Sequence, residues 1–103
     1  MSVIEVTKAN FESEVLKSDV PVLADFNAGW CGPCRAMKPM LDELAAADPA
    51  YKIVSIDIDE EDELAEDYDV SSIPCLVVFK GGEEVNRSVG LNPKDAISEL
   101  VEG

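Results

Sequence analysis

The sequence predicts an α/β fold with a central mixed β-sheet flanked by helices on both faces. Strand-like and helix-like segments alternate in the order β-α-β-α-β-α-β-β-α, which is typical of parallel strands connected by helices. Residues 21–26 are almost continuously apolar, as expected of a central strand that is buried on both faces. The Gly81-Gly82 pair predicts a tight hairpin turn, so the last two strands should be antiparallel.

The individual elements are predicted from short apolar runs and from helical spacing. The strands cover residues 3–6, 21–26, 53–58, 75–79 and 84–89. The first helix follows Asn10 as its N-cap, the second extends from about Cys31 to Ala46, a short third includes Leu64, Ala65 and Tyr68, and the last has Asn92 as its cap and Pro93 at its first position. Pro39 removes a backbone donor within the second helix, so we expect a kink there.

Length and composition indicate one folded unit. The chain has 103 residues, 47% of them hydrophobic and 29% charged, which is typical of a folded protein and not of a disordered one. We expect a single domain over residues 1–103, and a monomer. No apolar run approaches the roughly 18 residues of a membrane span, and the first residues lack the features of a signal peptide. We therefore expect a cytoplasmic protein.

The charge balance excludes several classes of function. Eight basic and 22 acidic residues give a net charge of −14, which repels phosphate backbones and anionic lipids, so we expect neither nucleic acid nor membrane as a partner. The acidic run over residues 57–63 is interpreted as a solvated loop and helix start. The sequence contains no histidine, which excludes Ser-His-Asp and Cys-His catalysis and histidine-ligated zinc.

Two of the three cysteines, Cys31 and Cys34, have the Cys-x-x-Cys spacing of a redox pair or of half a metal site. Because the segment leaves a buried strand and enters a helix, Cys31 should lie at the helix N-terminus, where the dipole and free N–H groups favour a thiolate. Cys34 lies one turn later and should be more covered. We expect Cys31 to attack a disulfide and Cys34 to resolve the mixed disulfide, with Pro33 stiffening the spacing.

The segment Trp30-Cys31-Gly32-Pro33-Cys34 resembles the active-site motif of the thioredoxin family. The resemblance extends over essentially the whole chain and includes residues 22–26, Ile73-Pro74, residues 79–82 and Val89-Gly90. It implies a thioredoxin fold and a protein-disulfide reductase that is itself reduced by a thioredoxin reductase. We expect neither a cofactor nor a metal.

The resemblance also implies roles for single residues. The groove for the partner chain would be lined by Trp30, Gly32, Pro33, Ile73, Pro74 and Gly90. Pro74 would follow a cis peptide bond, which leaves the backbone of Ile73 available to pair with an extended substrate. Asp25 resembles the buried acid of the family, which accepts the proton of the resolving cysteine and whose pKa burial would raise.

Three positions depart from the family pattern. Asn27 stands where the family usually has an aromatic residue, and Ser55 aligns with a lysine that often lies near the buried acid. The loss of that cation would raise the pKa of Asp25 further. Cys75 stands where threonine is usual, and it is interpreted first as a small buried hydrophobic residue, with a regulatory or metal-binding thiol as the alternative.

Other interpretations are compatible with the same residues. The cysteine pair can be half of a structural zinc site, and Trp30 can be a core residue. Asp25 can be an acid at the end of a strand that reaches solvent. Pro74 can be a trans proline in a turn, and Gly90 can be an ordinary glycine at the end of a strand. The protein can also be a dedicated electron donor to one enzyme. A third possibility is a non-catalytic docking or metal-holding module that uses Cys31, Cys34 and Cys75.

Overall fold

The computed structural model describes residues 2–103, and Met1, which the predicted domain includes, lies outside the described residues. The strands are β1 (Ile4–Glu5), β2 (Val22–Asn27), β3 (Lys52–Asp57), β4 (Cys75–Lys80) and β5 (Glu83–Val89). The helices are α1 (Gly32–Ala46), α2 (Asp62–Asp67) and α3 (Lys94–Glu102), with a π-helical turn over Glu12–Leu16. The predicted order of elements is therefore confirmed, with ends that shift by a residue or two.

The strands form one mixed sheet in the order β1-β3-β2-β4-β5. β1, β3 and β2 are parallel, while β4 is antiparallel to both β2 and β5. Gly81 and Gly82 have φ angles of 61° and 84° in the turn between β4 and β5, a conformation that favours glycine. β2 lies at the centre of the sheet, so the residues at its carboxyl end are surrounded by structure.

Each face of the sheet carries its own apolar core, because successive side chains of a strand point to opposite faces. On one face, the π-helical turn and α2 pack over a cluster that includes Phe11, Phe26 and Phe79. On the other face, α1 and α3 pack over a cluster that includes Leu23 and Met37. The continuous apolar run of β2 is thereby explained, since its residues enter both cores.

Two predicted helix caps are wrong. The side chain of Asn10 turns back, and its Oδ1 accepts a hydrogen bond from the Thr7 N–H at 2.7 Å, so it caps no helix. Asn92 donates to Ser88 Oγ at 2.8 Å, and Pro93 itself is the N-cap of α3, without a side-chain bond. In both cases the short polar side chain bonds nearby loop groups instead of the helix end. Pro39 lies within α1 as expected, and the kink there stays a prediction.

Within residues 2–103, no helix is both long enough and apolar enough to cross a membrane.

Candidate active site

The Cys-x-x-Cys pair lies where the central strand passes into a helix. β2 ends at Asn27, and Cys31 is the N-cap of α1, with Pro33 and Cys34 in the first turn. Cys31 and Cys34 form a disulfide whose Cα atoms are 5.2 Å apart. The Cys34 backbone N–H donates to Cys31 Sγ at 3.2 Å. This donor and the positive end of the helix dipole stabilise negative charge on the Cys31 sulfur.

The prediction that Cys34 is less exposed to solvent than Cys31 is wrong when the whole residues are compared. Cys31 and Cys34 are each 5% exposed. Both belong to a small cluster with Ala28, against which Ile58 and Ile73 pack. The asymmetry between the two sulfurs comes instead from the helix end, because only the Cys31 sulfur accepts the first-turn N–H bond.

Trp30 is a surface residue, so its interpretation as a core residue is wrong. The residue is 66% exposed, and its Nε1 donates to Asp59 Oδ2 at 2.9 Å. The bond holds the indole in place beside the pair although little packs over it. Asp59 was missed from the sequence because it lies in the acidic run, where nothing distinguishes it from its solvated neighbours.

Ile73, Pro74 and Gly90 are brought to the same edge as the pair. The Ile73-Pro74 peptide bond is cis, as the resemblance implies, and Ile73 contacts the cluster of the two cysteines. Gly90 N donates to the Pro74 carbonyl at 2.8 Å, directly after the end of β5. Gly90 has a φ of 101°, in the region that favours glycine, so its backbone conformation explains the residue type.

Asp25 lies inside the molecule, so the alternative of a strand-end acid in solvent is wrong. It is 4% exposed, and its Oδ1 has no hydrogen-bond partner among the described residues. Burial raises the pKa of Asp25 to about 7, a hydrogen bond from Asn27 lowers it, and the charge of Glu5 raises it. Asp25 and Cys34 line the same cleft, which has a volume of about 370 Å³.

The two polar departures from the family pattern meet beside this acid. Asp25 and Ser55 are register partners in the parallel pair of β2 and β3. Asn27 Nδ2 donates to Ser55 Oγ at 2.8 Å and to Asp25 Oδ2 at 3.3 Å. The sequence shows both residues, but only the strand register shows that they form one hydrogen-bonded group with the acid.

Cys75 belongs to a different cluster from the pair. It is 1% exposed and packs in the core that contains Phe26, its register partner in β2. Burial raises the pKa of the Cys75 thiol, which makes it less reactive. Within residues 2–103, no three His, Cys, Asp or Glu side chains are grouped so as to hold a metal ion. The metal-holding alternative with three thiolates is therefore wrong, because the third thiol points into an apolar core.

A disulfide at a helix N-terminus, beside a buried acid of raised pKa, defines a protein of the dithiol–disulfide exchange class. The family model described as Thioredoxin matches residues 2–103. Thioredoxin 1 of Nostoc sp. is 46% identical over 99 residues, covering 95% of this chain and 92% of that protein. Thioredoxin of Bacillus subtilis is 48% identical over 102 residues, covering 98% and 96%.

Solved structures agree with the sequence relatives. A mutant thioredoxin from Halobacterium salinarum superposes with a TM-score of 0.89 and 37% identity, covering 98% of this chain and 88% of that one. A chain from a study of the thiol resolving mechanism of a yeast mitochondrial peroxiredoxin via glutathione/thioredoxin systems has a TM-score of 0.84 and 30% identity, covering 96% and 93%.

The chain belongs to the thioredoxin family and has the thioredoxin fold. It is a thiol–disulfide oxidoreductase, and its chemistry is reversible dithiol–disulfide exchange at Cys31 and Cys34.

Proposed function

We propose that this protein is a cytoplasmic protein-disulfide reductase that carries two electrons from a thioredoxin reductase to disulfides in partner proteins. The observation that carries the proposal is the Cys31–Cys34 disulfide at the start of α1, with its first-turn N–H bond to Cys31 Sγ. The thioredoxins that resemble the chain over nearly its whole length support the same reaction. A compartment that keeps thiols reduced suits a protein that acts as a reductant.

The first step uses Cys31 as the nucleophile. Its thiolate attacks one sulfur of the partner disulfide, so the partner S–S bond breaks and a Cys31–partner disulfide forms. The other partner sulfur leaves as a thiolate. The helix end favours this attack because it stabilises the thiolate form of Cys31 relative to the thiol.

The second step uses Cys34 as the resolving cysteine and Asp25 as the proton acceptor. The Cys34 thiol gives its proton to the Asp25 carboxylate, and its sulfur attacks Cys31 Sγ, which releases the second partner thiolate. The protein ends with the intramolecular disulfide seen here, oxidised by two electrons, while the partner is reduced by two. An acid with a pKa of about 7 suits this role, because it is a stronger base than an ordinary carboxylate and remains partly ionised at neutral pH.

The partner chain binds across the surface next to Cys31. Its contacts are Trp30, Gly32, Pro33, Ile73, Pro74 and Gly90, and an extended segment of the partner pairs with the backbone of Ile73. The exposed indole of Trp30 and the exposed Gly32 and Pro33 in the first turn of α1 support this assignment, since they present accessible contact area on both sides of Cys31 in the sequence.

Insulin disulfide reduction with dithiothreitol as the electron source tests the proposal. Cys31→Ser should abolish turnover, because serine cannot form the mixed disulfide. Cys75→Ala serves as the matched control, and it should keep turnover within about twofold of wild type, because Cys75 is a buried free thiol in the apolar cluster of Phe26 and is not part of the disulfide. Full activity of Cys31→Ser would overturn the mechanism, and an inactive wild type after reduction would overturn the function. Turnover with NADPH and a thioredoxin reductase in place of dithiothreitol tests the electron donor.

A further inference from the structure

The hydrogen bonds of Asn27 place its amide between the buried acid and the neighbouring strand. Asn27 is half-buried at the carboxyl end of β2. Its Nδ2 lies 2.9 Å from the Asp25 backbone oxygen, 3.3 Å from Asp25 Oδ2 and 2.8 Å from Ser55 Oγ. The amide therefore links the backbone of β2, the acid and β3 within one hydrogen-bonded group.

We propose that Asn27 is a positioning residue for proton transfer: its amide, fixed by Ser55 Oγ, holds the Asp25 carboxylate and favours its charged form beside Cys34. The inference rests on the proposed role of Asp25 as the proton acceptor. It assigns a purpose to the two residues that depart together from the family pattern.

The number of hydrogens on the amide makes this bond depend on the charge of the acid. The Nδ2 group has two hydrogens, and three oxygens lie within reach, so one hydrogen is shared. A hydrogen bond to an ionised carboxylate is shorter and stronger than one to a neutral group. When Asp25 loses its proton, the shared hydrogen moves towards Oδ2, and when Asp25 gains a proton the amide returns to its neutral acceptors.

The charged groups around the cleft do not replace this donor. Five further titratable side chains line the cleft: Glu5 from β1, Arg35, Lys38 and Asp42 from α1, and Asp57 from β3. The Arg35 guanidinium donates to the Gly29 carbonyl at 2.7 Å, and the Lys38 ammonium is paired with Asp42 at 3.2 Å. On the β4 side, the register partner of Asp25 is the uncharged Leu76.

Among residues 2–103, Asn27 is thus the only side chain or backbone group that donates to the Asp25 carboxyl. A donor to the charged form lowers the pKa of an acid, so its loss raises that pKa. For a bond of this length we expect the midpoint of the Asp25 titration to rise by about one pH unit. At about pH 7 the ionised fraction would fall from about one half to about one tenth, a roughly fivefold loss of the proton acceptor.

The test measures the Asp25 titration directly, by carboxyl-carbon NMR on the oxidised protein. Asn27→Leu should raise the midpoint of the Asp25 titration by about one pH unit. Asn27→Gln, which keeps an amide donor, should have a midpoint between those of wild type and Asn27→Leu. Asn86→Leu is the matched control, since it removes an exposed asparagine on β5 whose amide bonds the Leu100 carbonyl at 3.1 Å. It should leave the midpoint unchanged.

Ser55→Ala provides a second variant in case Asn27→Leu disturbs the fold. It should raise the midpoint by less than Asn27→Leu, and the double variant should match Asn27→Leu alone, because Ser55 acts through Asn27. An unchanged midpoint in both single variants would overturn the inference.

The rate at which Cys34 resolves a mixed disulfide separates this inference from the function on which it rests. Its pH profile should shift to higher pH in Asn27→Leu by the same amount as the NMR midpoint. If the pH dependence of this rate disappears in Asp25→Asn but is unchanged in Asn27→Leu, the inference about Asn27 fails while the proposed role of Asp25 stands. If Asp25→Asn keeps the wild-type profile, the proposed role of Asp25 fails.

Discussion

Cys31 and Cys75 are both nearly hidden from solvent, with 5% and 1% of the residue exposed, but their surroundings differ in kind. Cys31 begins a helix and accepts a backbone N–H bond on its sulfur. Cys75 begins a strand and points into an apolar core beside Phe26. Burial alone therefore does not decide whether a thiol is reactive, because the decisive difference is the hydrogen-bond donor and the helix end at the Cys31 sulfur.

The two faces of β2 show a similar contrast. On the face of α2, Ala24 and Phe26 enter a core that contains no charged side chain. On the face of α1, Leu23 enters the second core, but its neighbour Asp25 is buried with one oxygen unpaired. Both faces therefore contribute apolar packing, but only the α1 face carries a buried polar group, whose burial is unfavourable and raises its pKa to about 7.

The largest expected effect comes from removing the resolving cysteine. Cys34→Ser should keep the first attack and lose the second, so the protein should accumulate as a mixed disulfide with its substrate. Gel electrophoresis without reductant, after incubation with insulin, measures the trapped species. Cys75→Ala is the control and should trap nothing, because its pair remains intact. If Cys34→Ser reduces insulin with normal turnover and no trapped mixed disulfide, Cys34 is not the resolving cysteine.

A smaller effect is expected on stability, through the buried acid. The folded-state pKa of Asp25 is about 7 and its ordinary value is 3.8, so the unfolded chain ionises first as pH rises. The free energy of unfolding is therefore highest below about pH 4, where Asp25 is protonated in both states. It decreases as the pH rises to about 7, by roughly 4 kcal/mol at most. Asp25→Asn should remove this dependence.

Urea denaturation across this pH range measures the difference between wild type and Asp25→Asn. The free energies of unfolding should agree near pH 4 and separate above it, with the variant the more stable. A constant difference at all pH values would show that the acid titrates alike in the folded and unfolded chains.

The sequence predicts the helix end, the pair and the order of strands because each depends on local patterns, such as the apolar run before Trp30. It does not predict the bond between Trp30 and Asp59, or the group formed by Asn27, Ser55 and Asp25. The bonds from Trp30 to Asp59 and from Asn27 to Ser55 join segments far apart in the chain, so they depend on strand register and loop geometry. The caps at Asn10 and Asn92 fail for a related reason, since nearby loop groups compete with the helix ends for the same side chains.

The central claim is that Asp25 accepts the proton of Cys34 when the intramolecular disulfide forms. The most direct measurement is the pH dependence of mixed-disulfide resolution in wild type and Asp25→Asn under single-turnover conditions. We expect the wild-type rate to rise through about pH 7. The Asp25→Asn rate should be lower there and approach that of wild type at high pH, where hydroxide deprotonates the Cys34 thiol. Identical rates of the two proteins at every pH would contradict it.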